Sequence, residues 1–249
     1  LGLELCRKIL HNGCSRLIIV DRYESYLNEA LTGLLKSYSN KNIIPILIDT
    51  DKISMLEDVF KRYCPDIVIQ AGMRKYKPIF DVQMEKICRT YYCHTLNLVK
   101  FAAKYKCKSF VMISSLKAGQ SGSLIIDSLR KAEVKLNQFF KNADTRLIIS
   151  RLPDIAENRG GIVSFLEEQI INQGKVIFPA EETTCCLITK YSASEFILQN
   201  IVEGKNRLSD ECIFNCNAGY TVSLIELAKV IASYHGLNLW TELEVKYIT

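Results

Sequence analysis

Phe110-Val111-Met112-Ile113-Ser114-Ser115 is an unbroken apolar run that stops on two hydroxyls, and its reading decides the fold. A strand wetted on one side alternates apolar and polar residues, whereas one apolar at every position is covered on both faces. Three runs of the same kind precede it. Leu17-Ile18-Ile19-Val20 ends in Asp21, Ile43 to Ile48 ends in Asp49, and Asp66-Ile67-Val68-Ile69 ends near Ala71-Gly72. Helix-length segments separate the runs, at 23–37, 52–63, 80–106 and 123–142, with apolar residues three and four apart such as Leu56, Val59 and Phe60. Strands and helices alternating through right-handed crossovers predict an α/β fold, a Rossmann-like doubly wound parallel sheet.

After Arg146-Leu147-Ile148-Ile149-Ser150 the rhythm loosens. Loops around Pro153 and Arg159-Gly160-Gly161 lead to a helix over 162–172, a strand over 175–178, a helix over 191–202, a strand over 212–216 and a helix over 223–234. We therefore expect a dinucleotide-binding domain over 1–150. A smaller C-terminal substrate lobe over 151–249, not independent of it, would cover the carboxyl edge of the sheet.

Composition narrows the function classes. The 249 residues are 48% hydrophobic and 24% charged, with 12 Gly and 5 Pro, which excludes a disordered tail and a collagen-like fibre. A net charge of +5 without long Lys/Arg blocks argues against a nucleic-acid partner. No apolar run reaches the roughly 18 residues of a spanning helix. The chain opens on Leu1 and enters an amphipathic pattern at once, which reads as the interior of a longer protein. The 10 cysteines include no C-x-x-C pair, so the expectation is free, buried thiols in a reducing cytosol, not a zinc site or a disulfide framework. Cys88, Cys93 and His94 are the one metal-like cluster, and their helical spacing favours packing. None of His11, His94 and His235 sits at an expected strand end, which argues against a Ser-His-Asp hydrolase built on Ser114 or Ser115.

A dinucleotide site needs a strand, a glycine-rich turn and a helix, with an acidic residue about 20 positions on for the ribose hydroxyls. Gly2 opens a helix, and Asp21 ends the following strand. The first strand and first glycines would fall before Leu1.

Leu1-Gly2-Leu3-Glu4-Leu5-Cys6-Arg7-Lys8-Ile9 resembles IGSELCRQI of the bacterial polysaccharide-biosynthesis UDP-N-acetylglucosamine 4,6-dehydratases and epimerases, within the extended short-chain dehydrogenase/reductase superfamily. Further matches follow in one register. Ile18-Ile19-Val20-Asp21-Arg22 with Glu24 is similar to LFDRSE, Cys64-Pro65-Asp66-Ile67-Val68 to RPDIV, and Lys75 with Pro78 to AAYKHVP. Thr95-Leu96-Asn97 is similar to GTLNV, Phe110 to Ala118 to FVLISTDKA, and Val222 to Ala228 to VKIVDLAKR. The resemblance implies NAD or NADP held by Gly2, Asp21, Arg22, Asp49, Ala71, Gly72 and Lys75. It implies a UDP-sugar near Arg159 and Gly160, and a homo-oligomer or a pairing with a paralogous dehydratase through helices 80–106 and 123–142. Asp21 suits the ribose hydroxyls of NAD and Arg22 a 2′-phosphate, leaving the two dinucleotides undecided.

Position by position, the catalytic set that the resemblance implies is eroded. The aspartate of the TDK motif falls on Leu116, and its lysine is kept as Lys117 beside Ser115. The Tyr or Met that works with a lysine four residues later falls on Ile125, and that lysine on Leu129. Pro153 and Asp154 replace the glycine and asparagine of RFGNVLG, where an acid repels a diphosphate, and Cys185 replaces the arginine of TRYFMTI. Tyr91 takes the place of an asparagine. The first reading is a catalytically degraded homologue acting as a binding, regulatory or assembly partner. A second is an active NAD(P)-dependent nucleotide-sugar epimerase, dehydratase or reductase in which Lys117, Lys75, Tyr76 or Tyr91 supplies acid–base chemistry. A third is a structural domain, its cleft filled by Tyr91, Leu116, Ile125 and Leu129 and its ligand none. The expected location is the cytoplasm, as a free protein or as the soluble domain of a longer, membrane-attached one.

Overall fold

Phe110 and Met112 bury themselves on one side of their strand, Val111 and Ile113 on the other. This two-sided burial organises the fold. A computed structural model describes residues 1–48, 52–72, 84–119, 124–141, 143–158, 160–206 and 212–247, without the side chains of 84–91, 124–125 and 205–206. The first half runs α1 (Gly2–His11), β1 (Arg16–Asp21), α2 (Glu24–Tyr38), β2 (Asn42–Leu47), α3 (Ile53–Tyr63), β3 (Ile67–Gln70), α4 (Met84–Lys104), β4 (Ser109–Ser115), a short 3-10 turn (Leu116–Gly119), α5 (Leu124–Phe140) and β5 (Arg146–Leu152). The second half runs β6 (Asp154–Ile155), α6 (Ile162–Glu168) with a π-turn extension (Gln169–Gln173), β7 (Lys175–Phe178), β8 (Thr184–Ile188), α7 (Lys190–Asn206), β9 (Ile213–Asn215), β10 (Tyr220–Ser223), α8 (Leu224–Tyr234) and β11 (Glu244–Tyr247).

Strands β3, β4, β5 and β9 form a parallel sheet in that order, and β1 pairs in parallel with β2. Leu129, Ala132 and Leu136 of α5, Val99 and Ala102 of α4 and Leu56 and Phe60 of α3 share one core with Phe110, Met112, Leu147 and Ile149. On the opposite face, Leu5 of α1 and Ala193, Ile197 and Ile201 of α7 pack with Val111, Ile113 and Ile148. The sheet is thus doubly wound, as its apolar strands require. Each fully buried Phe, Met or Ile here contributes about 1.5–3 kcal/mol over an exposed one. Both β9 and α7 come from beyond residue 150 and complete this sheet and its cover.

A third core lies in the C-terminal part, where Leu166, Ile170, Val176 and Phe178 pack against Leu224, Ala228 and Ile231 of α8. Two small sheets accompany it: β10-β8-β6, and β11 beside β7. The sequence reading missed β6, β8, β10 and β11. They are two to five residues long and take their pairing from distant segments, as in Tyr220 opposite Leu187, so local periodicity carries little trace of them.

Strand burial is uneven. Ser109 to Ser114 of β4 are all buried, whereas the equally apolar Leu17 to Val20 of β1 are only half-buried and Ile67 of β3 is 37% exposed. Among the described residues β1 pairs only with β2, and β3 only with β4, so each keeps one open edge. The amino ends of these two strands approach each other, since Arg16 Nη2 donates to the Tyr63 carbonyl at 2.7 Å.

Candidate functional site

Parallel pairing brings the carboxyl ends of β4 and β5 together, with Ser114 opposite Arg151 and Ser115 opposite Leu152. Ser114 and Arg151 both face α5, and both meet Glu133. Ser114 Oγ donates to Glu133 Oε1 at 2.6 Å, and Arg151 donates from Nε at 3.0 Å and from Nη2 to Oε2 at 2.5 Å. The Glu133 side chain is 2% exposed, so this fork is a buried ion pair with both carboxylate oxygens satisfied. The hydrogen bond to Glu133 holds the Arg151 guanidinium above its ordinary pKa. Composition and motif matching passed over this group. Its signal is a lone acid on the otherwise apolar α5 stripe of Leu129, Ala132, Leu136 and Phe140.

One residue past β4 the chain tightens into its 3-10 turn. Ser115 Oγ accepts from the Lys117 backbone N–H at 3.3 Å, a turn-bridging role. The Lys117 ammonium leaves the turn and meets Asp154 Oδ2 at 2.8 Å. Asp154 is the first residue of β6, opposite Leu187 of β8. Beside the pair, burial and then the Asp154 charge push the Cys185 thiol up. The crossing is tight: a side-chain carbon on Gly219 would overlap Cys186 Sγ and lie 2.9 Å from Pro153 Cγ.

The replaced positions have distinct surroundings. Leu129 is 4% exposed and belongs to the α3–α4–α5 core, so it packs the sheet and does not fill a cleft. Leu116 is half-buried. The Ile125 and Tyr91 side chains, together with Asp49, Lys75, Tyr76 and Arg159, lie outside the described residues.

Of the expected dinucleotide residues, Gly2 is the exposed first residue of α1, and Ala71 and Gly72 are exposed just beyond β3. Asp21 ends β1 half-buried, its Oδ1 accepting from the Tyr23 N–H at 2.9 Å, while the Arg22 guanidinium lies 5.2 Å from the Tyr23 ring. Buried Gln70 donates from Nε2 to Thr95 Oγ1 at 2.7 Å, and its Oε1 is buried with no partner among the described residues. Gly160, at φ 76, sits exposed in the turn before α6.

The thiols depart from the expectation of general burial. Cys107, Cys212 and Cys216 are buried, Cys6, Cys14, Cys185 and Cys186 half-buried, and Cys64 and Cys93 exposed, all of them free. Among the described residues no group of three His, Cys, Asp or Glu could hold a metal ion, and no helix is long and apolar enough to cross a membrane.

The family model described as "Polysaccharide biosynthesis protein" matches residues 1–249. The chain belongs to the polysaccharide biosynthesis protein family. Within this family it is similar to the capsular polysaccharide biosynthesis protein CapD of Staphylococcus aureus, 24% identical over 238 residues. It is also similar to the probable polysaccharide biosynthesis protein EpsC of Bacillus subtilis, 25% identical over 240 residues. Each alignment covers 95% of this chain but 39% of the relative, so the chain spans about two-fifths of their length. Among solved structures, Pen from Bacillus thuringiensis superposes with a TM-score of 0.82 at 18% identity, over 99% of this chain and 74% of that one. The Bordetella bronchiseptica enzyme WbmG, solved with NAD and UDP, superposes at 0.69 with 18% identity, over 100% and 79%. Its fold is the Rossmann-type fold of these solved structures.

Proposed function

We propose that this family member binds a nucleotide sugar at the carboxyl ends of its sheet without carrying out ordinary dehydratase turnover, and serves as a binding, regulatory or assembly partner. The observation that carries the reading is the state of the retained lysine and its neighbours. Lys117 is committed to Asp154, and the two partner positions with which it would share proton transfer are Leu116 and Leu129, the latter sealed in the core. A hydrocarbon side chain neither accepts nor releases a proton, and losing an acid–base group removes about 10²–10⁴-fold in rate. Incubation of the full-length protein with UDP-N-acetylglucosamine, followed by product analysis, tests it. The expected result is no turnover above trace, and product formed at ordinary enzyme rates would overturn the reading.

The residues at the strand ends fit a nicotinamide dinucleotide. Asp21 ends β1 with one carboxylate oxygen accepting from the Tyr23 N–H, and an acid at this strand end suits a ribose hydroxyl. Among the described residues Gly72 has open space where a side chain would stand, and Gln70, at the end of the strand before it, has a buried acceptor without a partner. When bound, the dinucleotide supplies a hydride acceptor and donor. Gly2, Arg22 and Ala71 complete the described part of that site, with Gly160 on the sugar side, and the sequence resemblance alone adds Asp49, Lys75 and Arg159. Among the described residues β1 and β3 each keep an open edge that suits one more parallel strand. Calorimetry with NAD and NADP on the full-length protein is expected to show binding of one of them.

We propose the cytoplasm as its location, where the nine free thiols among the described residues would stay reduced, as a free protein or as part of a membrane-attached one. Its expected assembly is a homo-oligomer or a complex with an active paralogue through α4 and α5, where Val134 leaves apolar surface 51% exposed.

A further inference from the structure

We propose that Asp154 is a built-in charge gate, whose carboxylate occupies Lys117 and weakens, without abolishing, the site's hold on the diphosphate of a nucleotide sugar. This rests on the reading that the sheet's carboxyl ends take a nucleotide sugar, and it names what governs entry there.

Both partners stand on anchored backbone. Lys117 belongs to the turn bridged by Ser115, and Asp154 follows Pro153 and is held in register by β8. Their side chains are 56% and 31% exposed, so the pair faces water and an incoming ligand meets it directly. Three neighbouring charged side chains among the described residues have partners of their own. Arg151 is forked onto Glu133, and Glu157 Oε2 accepts from the Lys190 N–H at 2.9 Å at the start of α7. Among the described residues Lys117 is a cation that a diphosphate would recruit at this edge, and it can do so only by displacing the Asp154 carboxylate. The displaced carboxylate then stands next to the phosphates without its partner, and like charges brought together oppose binding. An uncharged nucleoside has no such conflict. The gate thus discriminates by ligand charge.

Calorimetric titration of the full-length protein with UDP and with uridine, at physiological salt, tests the gate. Asp154→Asn keeps the size of the side chain and removes its charge; it is expected to tighten UDP binding about tenfold while leaving uridine unchanged. Lys117→Gln acts the other way, leaving the carboxylate unpaired, and is expected to weaken UDP severalfold. A thermal midpoint for each variant confirms that it is folded. The gate is overturned if folded Asp154→Asn binds UDP as wild type does, or if uridine gains as much as UDP. If neither ligand binds wild type or either folded variant, the nucleotide-site reading falls and the gate with it, an outcome distinct from UDP binding that ignores residue 154.

Discussion

Glu133 interrupts the apolar stripe of α5 with a buried charge, and the structure tolerates it because three donors converge on its two oxygens. Removing one partner strands the other in a medium that cannot solvate it, so Arg151→Met is expected to lower the unfolding free energy by about 3–5 kcal/mol, read from urea denaturation. The double variant Glu133→Leu with Arg151→Met should recover most of that loss, because neither charge is then left alone. Thiol chemistry separates the residues in the same way. Burial pushes Cys6 and Cys107 up to about 11, which keeps both protonated at about pH 8, and the thiolate is the reactive form. A thiol-exchange reagent at that pH should therefore modify exposed Cys64 and Cys93 quickly, and Cys6 and Cys107 only as the protein unfolds, as peptide mapping would show. Sequence placed cysteines in apolar stretches, but exposure depends on which face of an element meets a neighbour, and that is a tertiary property.

At the scale of elements, the runs that announced strands did so because a strand covered on both faces has no polar position to spare. Leu17 to Val20, Ile43 to Ile48, Asp66 to Ile69 and Phe110 to Ile113 all fall on β1 to β4, within a residue or two at either end. The helix joining the second and third of these ends at Cys64, which adopts the left-handed conformation at φ 42 and ψ 65. A side chain there costs about 1–2 kcal/mol, part of which glycine returns as extra freedom in the unfolded chain. Cys64→Gly is thus expected to raise stability by about 0.5–1 kcal/mol, measurable as a higher denaturation midpoint. Strands β6, β8 and β10 were illegible for the opposite reason. Thr184-Cys185-Cys186-Leu187-Ile188 has no alternation, and its identity as a strand comes from Tyr220 to Ser223 lying antiparallel against it.

For the whole molecule, the two faces of the central sheet differ in what covers them: α3, α4 and α5 on one side, α1 and α7 on the other. The α4–α5 face is where we expect a second copy or a paralogue to dock. Sedimentation of the full-length protein should then give at least twice the mass of one chain, and a monomer at micromolar concentration would remove that assembly. The ion pair between Lys117 and Asp154 belongs to this scale as well, since it ties the end of the sheet to the small β6–β8–β10 layer. The sequence by itself determined the doubly wound parallel architecture, the family, and the apolar identity of residues 116, 125 and 129, because apolar runs and residue identities are written locally. Only the tertiary structure decided that Leu129 is core, that Glu133 is the shared partner of Ser114 and Arg151, and that Lys117 is held by Asp154. Those are contacts between residues 18 to 37 positions apart, whose energies depend on distance and desolvation, and neither quantity is encoded in any local stretch of chain.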